Sequence, residues 1–136
     1  MLGELLSEGT GKQTGTRVLK GDDGKHVKME VSFKAQGKLL GMKSNTMATM
    51  TLYERIPGQL YGEVSGITMT DEGDSVIWEG FGVGTPTGEG MGIRIRGSIN
   101  YQAGSEKLSR LNLVLGVLEM ESDGEGNSKT KIWEWK

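Results

Sequence analysis

Between Met91 and Tyr101 the side chains alternate in chemistry. Met91, Ile93, Ile95, Ile99 and Tyr101 fall on one side of an extended chain, and Arg94, Arg96, Ser98 and Asn100 on the other. Successive side chains of a strand point to opposite faces, so a period of two over this length describes a strand with one buried face. The pattern extends back to Leu60. It predicts three antiparallel strands over 60–70, 75–84 and 90–102, joined by turns at Asp71–Asp74 and Thr85–Glu89. Val27 to Ala35 alternates as cleanly, with Val27, Met29, Val31, Phe33 and Ala35 against His26, Lys28, Glu30, Ser32 and Lys34.

The rest of the chain follows the same logic. Residues 4–20 read as a long strand or a bent pair, and Asp23-Gly24 is a hairpin signal. Gln36–Met42 continues the sheet through a bend, 45–55 form another strand, and Pro57-Gly58 turns the chain. Ser105–Leu111 is the one segment with helical character. Strands over Asn112–Ser122 and Ser128–Lys136 finish the chain. Eight or nine strands and at most one short helix, near 105–111, predict an all-β protein. Residues 1–136 then form a single antiparallel β-barrel. Glycine supports closure, at 23 residues against 2 prolines. Glycines stand singly or at i, i+2 inside strand-like runs, where bends and close backbone approach need them.

Loop lengths set an expected register. A two- or four-residue loop around Glu72-Gly73 places Val64 opposite Phe81 and Gly66 opposite Glu79. A three- or five-residue loop around Thr87 places Phe81 opposite Ile93, Val83 opposite Met91, and Glu79 opposite Ile95. The interior face then holds Leu60, Val64, Ile77, Phe81, Val83, Met91, Ile93, Ile95, Ile99 and Tyr101, with Glu79 among them. Tyr61, Glu63, Trp78, Arg94, Arg96 and Ser98 face outward, Glu63 and the arginines as an ion-pair patch. The last hairpin pairs Glu119 with Lys131, Glu121 with Lys129, Val117 with Trp133 and Leu115 with Trp135. That arrangement gives the two tryptophans an apolar stripe that closes the barrel.

Charge excludes some functions. Lys plus Arg number 16 and Asp plus Glu 18, a net charge of −2, interspersed along the chain. No basic stripe exists for nucleic acid. No apolar run is long enough for a membrane helix, and neither an export signal nor an outward apolar band marks a membrane barrel. The absence of cysteine removes disulfide and thiol chemistry and fits a cytoplasmic setting. No cofactor motif is present. Gly9-Thr-Gly11-Lys12 and Gly80–Gly84 lack the strand–loop–helix context of a phosphate loop. Glu121-Ser-Asp123-Gly-Glu125-Gly126 resembles the start of a calcium loop but has Ile132 where the last carboxylate belongs, so it reads as a solvated acidic turn. His26 is the only histidine and falls on a polar face. No metal site is expected.

A carboxylate among apolar interior neighbours has a raised pKa unless paired, which makes Glu79 the candidate acid or base. The candidate lumenal ligand contacts are Glu79, Phe81, Ile95 and Tyr101. The run YGEVSGITMT…WEGFGVGTPTG…IRIRGSI resembles the allene-oxide-cyclase-like barrels, which include dirigent proteins, and more broadly the lipocalin-like calycins. The closing K-I-W-E-W-K is similar to that of small uncharacterised prokaryotic proteins. The resemblance implies a barrel with an apolar cavity, often oligomeric, that acts on or carries small hydrophobic molecules. It supplies no catalytic motif. Three functions therefore stand side by side: a lumenal binder of a small apolar or amphipathic ligand, a cyclase or isomerase using Glu79, and a solid-core structural or homo-oligomer-forming module.

Overall fold

The computed structural model describes residues 1–136. It contains eight strands: β1 (Leu2–Lys20), β2 (Val27–Leu39), β3 (Met42–Ile56), β4 (Gln59–Thr70), β5 (Ser75–Pro86), β6 (Ile93–Ala103), β7 (Leu115–Ser122) and β8 (Asn127–Trp135). Each pairs antiparallel with the next, and β8 returns to β1, closing the barrel. Following the register from Gly84 once round the ring returns to Asp74, ten residues back along β5. That stagger goes with a strand tilt of roughly 35–45° and an interior just wide enough for side chains.

β1 is one strand rather than a bent pair, with a bulge between Gln13 and Gly15. The bend expected at 36–42 is a two-residue hairpin turn. Leu40 and Gly41 both have positive φ, 50° and 80°, the pairing that follows the twist of the flanking strands. The helical segment is a short 3₁₀ turn at Ser109–Leu113, later and tighter than the sequence suggests. Spacing explains this: Leu108 and Leu111 are both fully buried, and three residues per turn stack i and i+3 on one side. They seal one end of the barrel together with Leu6, Leu39 and Val76. Arg110 ties this cap to Glu4 of β1 at 2.8 Å and to Glu134 of β8 at 3.6 Å, and Lys107 ties it to Glu72 at 2.6 Å.

The β5 register differs from expectation. Thr70 and Asp74 close a three-residue loop, Asp71-Glu72-Gly73, with Gly73 at φ 90°. One residue fewer than a four-residue loop shifts the pairing by one, so Ile67 meets Ile77 and Gly66 meets Trp78. A one-residue slip inverts every side chain of a strand. Val76, Trp78, Gly80, Gly82 and Gly84 therefore point inward. Ile77, Glu79, Phe81 and Val83 point outward, and Met91 lies exposed in the β5–β6 loop. The β6 face stands as read, with Ile95, Ile99 and Tyr101 inside.

The inward glycines of β5 have a packing reason. A Cβ on Gly80 would overlap the Ser98 carbonyl of β6, and one on Gly37 would overlap the Glu8 carbonyl of β1. Gly82 pairs with Gly97 and Gly9 with Gly37, so the backbones come closest at β5–β6 and at β1–β2. Those two corners lie on opposite sides of the eight-strand ring.

Candidate functional site

The barrel interior contains a small, partly open space of about 60 Å³. Apolar side chains form most of its wall, among them Phe33, Met50, Val64, Ile95, Leu118 and Ile132. The hydroxyl-bearing residues Ser44, Thr46, Thr68 and Thr130 supply polar points. Glu8, exposed beside the Gly9–Gly37 corner, is the only charged residue that borders it.

A polar chain runs along one side. The Trp78 Nε1–H donates to Thr68 Oγ1 at 3.0 Å, and Thr68 Oγ1 lies 2.8 Å from Thr46 Oγ1. β4 makes room for the indole through Gly66, where any Cβ would overlap the Trp78 ring. Facing the same space is Tyr101, paired with Trp78 across β5–β6 and 7% exposed. Its hydroxyl is buried and has no hydrogen-bond partner. Burial pushes its pKa well above the ordinary phenol value, so the hydroxyl remains a donor.

Of the four residues expected in the lumen, Ile95 and Tyr101 line it. Glu79 does not. It is exposed on the outer face between Ser65 and Asn100, because the three-residue loop inverts β5. The cyclase or isomerase reading therefore loses Glu79 as its lumenal acid. Phe81 belongs to the wall at the Gly82 corner, but its ring is 59% exposed and packs outside against Tyr61, with centroids 6.4 Å apart. Trp78, placed outside by the expected register, is the residue that sequence reasoning missed. An aromatic flanked by glycines at 66 and 80 is the signal that would have found it.

The remaining sequence candidates resolve simply. Both glycine-rich runs lie inside strands β1 and β5, with no loop for a phosphate to enter. One Asp123 carboxylate oxygen accepts from the Glu125 and Asn127 amides and the other from the Asn127 side chain. That acid serves its own turn, and no group of three or more His, Cys, Asp or Glu residues converges on a metal-sized space. His26 is exposed and pairs with Asp23 at 2.7 Å, which raises its pKa. On the outer face Arg94 pairs with Glu121 and Arg96 with Glu119, while Glu63 faces Thr51 and Phe81 rather than the arginines.

No protein-family model and no curated protein matches the chain. Solved structures do. A conserved protein of unknown function from Rhodopseudomonas palustris aligns with a TM-score of 0.81 at 15% identity, covering 98% of this chain and 97% of that one. A protein of unknown function from Clostridium acetobutylicum aligns at 0.82 and 13% identity, covering 98% of both chains. Such likeness carries the fold alone. It supports the coarse part of the sequence resemblance, a closed eight-strand barrel like those of uncharacterised proteins.

Proposed function

We propose that the protein is a binding module that holds a small molecule, or the end of one, inside the barrel. The observation that carries this is a partly open interior space of about 60 Å³ with an apolar wall and a few polar groups. Ligand sites have that composition. The volume suits a group of roughly two to four heavy atoms, at about 15–30 Å³ each. Met50 and Met120 on the wall are the side chains best able to yield to something longer. The one carboxylate that borders the space, Glu8, is solvent-exposed, which favours binding over cyclase or isomerase chemistry.

Native mass spectrometry of protein purified from its source, followed by mild denaturation, tests the reading. A bound small molecule released on unfolding is expected, and it should be absent from an Ala35→Leu variant, which adds bulk at a residue of the lining. Protein that carries nothing, and that Ala35→Leu stabilises, would leave the solid-core reading in its place.

A second reading concerns the outside, and the outer face of β3–β5 favours it. Met47, Ile67 and Ile77 form one row across the three strands, and Tyr53, Tyr61 and Val83 form another with Phe81 beside it. The exposed members, Met47, Ile77, Phe81 and Val83, leave two apolar patches with Thr49, Ser65 and Glu79 between them. Standard interfaces bury about 800 Å² per partner, so a second copy of this chain is the occupant proposed. Ile77→Lys should convert a dimer to monomer in sedimentation; a wild-type protein monomeric at high concentration would remove the idea. A lipid partner is disfavoured by the charges that cross the outer surface in register: Arg96, Glu119, Lys131, Glu8, Lys38 and Lys43. No helix of the protein is long and apolar enough to cross a membrane.

A further inference from the structure

We propose that the Tyr101 hydroxyl is the recognition donor of the lumen, and that the ligand group it takes is compact, uncharged and a hydrogen-bond acceptor of the carbonyl class. The inference rests on the lumenal-binding reading and adds the chemistry of what is bound. Three observations lead to it. Tyr101 lines the space and is more than nine-tenths buried, and its hydroxyl is the one fully buried side-chain polar atom of the lining without a partner. The buried Trp78 Nε1–H beside it is already committed to Thr68. That leaves the Tyr101 O–H as the fully buried donor in the lumenal wall with no acceptor.

A buried hydroxyl without a partner costs stability, and a folded protein keeps such a group where something else completes the hydrogen bond. The missing partner has to accept. Charge is excluded by the surroundings, since the lumen holds no cation to compensate a carboxylate or phosphate and burying an unpaired anion is costly. A carbonyl oxygen meets both conditions, with the substituents on its carbon resting against Ile95, Val64 and Met50. The phenol stays protonated well into the alkaline range, so this recognition is insensitive to pH across the neutral region.

Acetone, isobutene and acetate test the proposal, because they share a trigonal shape and differ in acceptor and charge. Binding is read from the Trp78 indole N–H resonance during titration, with the assignment made by Trp78→Phe. Acetone is expected to shift it saturably, acetate not at all. Acetone affinity should fall roughly tenfold in Tyr101→Phe while isobutene affinity does not. Tyr101→Phe without ligand should melt no lower than the wild type, since it removes an orphan hydroxyl. The acetone-to-isobutene ratio in the unmodified protein carries the test even if the variant misfolds. Equal binding of both probes, or acetone binding indifferent to Tyr101→Phe, overturns the donor role and leaves lumenal binding standing. Failure of all three probes to shift the indole overturns lumenal binding and this inference with it.

Discussion

Gly66 and Trp78 show how single residues decide what the interior can hold. A Cβ at Gly66 would strike both the indole and Ala48, so the glycine is the recess into which Trp78 fits. Gly66→Ala should destabilise by about 1–3 kcal/mol, the range for overpacking a filled core. Gly15→Ala, where a Cβ meets nothing within 4 Å, is the control and should be close to neutral in the same urea melts. Glu79→Gln should also fall within about 0.5 kcal/mol of wild type, as exposed substitutions do. A large stabilisation would mean that the carboxylate is buried after all. The outward position of Glu79 was legible in the sequence by a route other than hydrophobicity. Glu8…Gly11, Glu63…Gly66 and Glu79…Gly82 share one spacing, and an interval of three puts the two ends on opposite faces of a strand. Reading Glu63 as outward should have carried Glu79 with it. Hydrophobic sorting chose the other face because β5 places its glycines inside and its Ile77, Phe81 and Val83 outside.

At the scale of elements, loop length rather than strand composition decided which expectations held. The β7–β8 hairpin pairs Glu119 with Lys131 and Val117 with Trp133 as the sequence suggests, since the Asp123 turn fixes its own geometry. The β4–β5 hairpin inverts on a single loop residue. Asp123 gives a pH test of its turn. The Asn127 side chain, then the Asn127 and Glu125 amides, hold its pKa below the usual aspartate value. A lowered folded-state pKa stabilises above the unfolded value near 3.9, and that stabilisation is lost as pH falls through the folded value. The melting-temperature gap between wild type and Asp123→Ala should therefore be full at pH 6 and shrink below pH 4. A gap that widens in acid would contradict the assignment. The end cap is the other element with a measurable weight. Leu111→Ala should cost about 2–5 kcal/mol, because a fully buried leucine leaves a cavity that the surrounding strands cannot collapse to fill.

Closure is a property of the whole molecule, and β8 is where it can be broken. The sequence placed Trp133 and Trp135 as the apolar stripe that closes the barrel, but both lie on the outer face or its edge, and Trp135 is 58% exposed. What β8 supplies instead is pairing on both sides: Ile132 meets Leu118 and Ser7, and Trp133 meets Val117 and Leu5. Ile132 itself is 5% exposed within the core. Deleting residues 132–136 would leave the ends of β1 and β7 as unpaired edges over an opened core, and exposed edges recruit other chains. The truncated protein should therefore lose its cooperative melt and associate. Trp133→Ala in the full chain should remain folded, because the ladder and Ile132 survive. A truncated barrel with an unchanged melting temperature and a single monodisperse species would show that closure through β8 is dispensable. Truncation and Trp133→Ala with equal effects would return the closing role to the indoles.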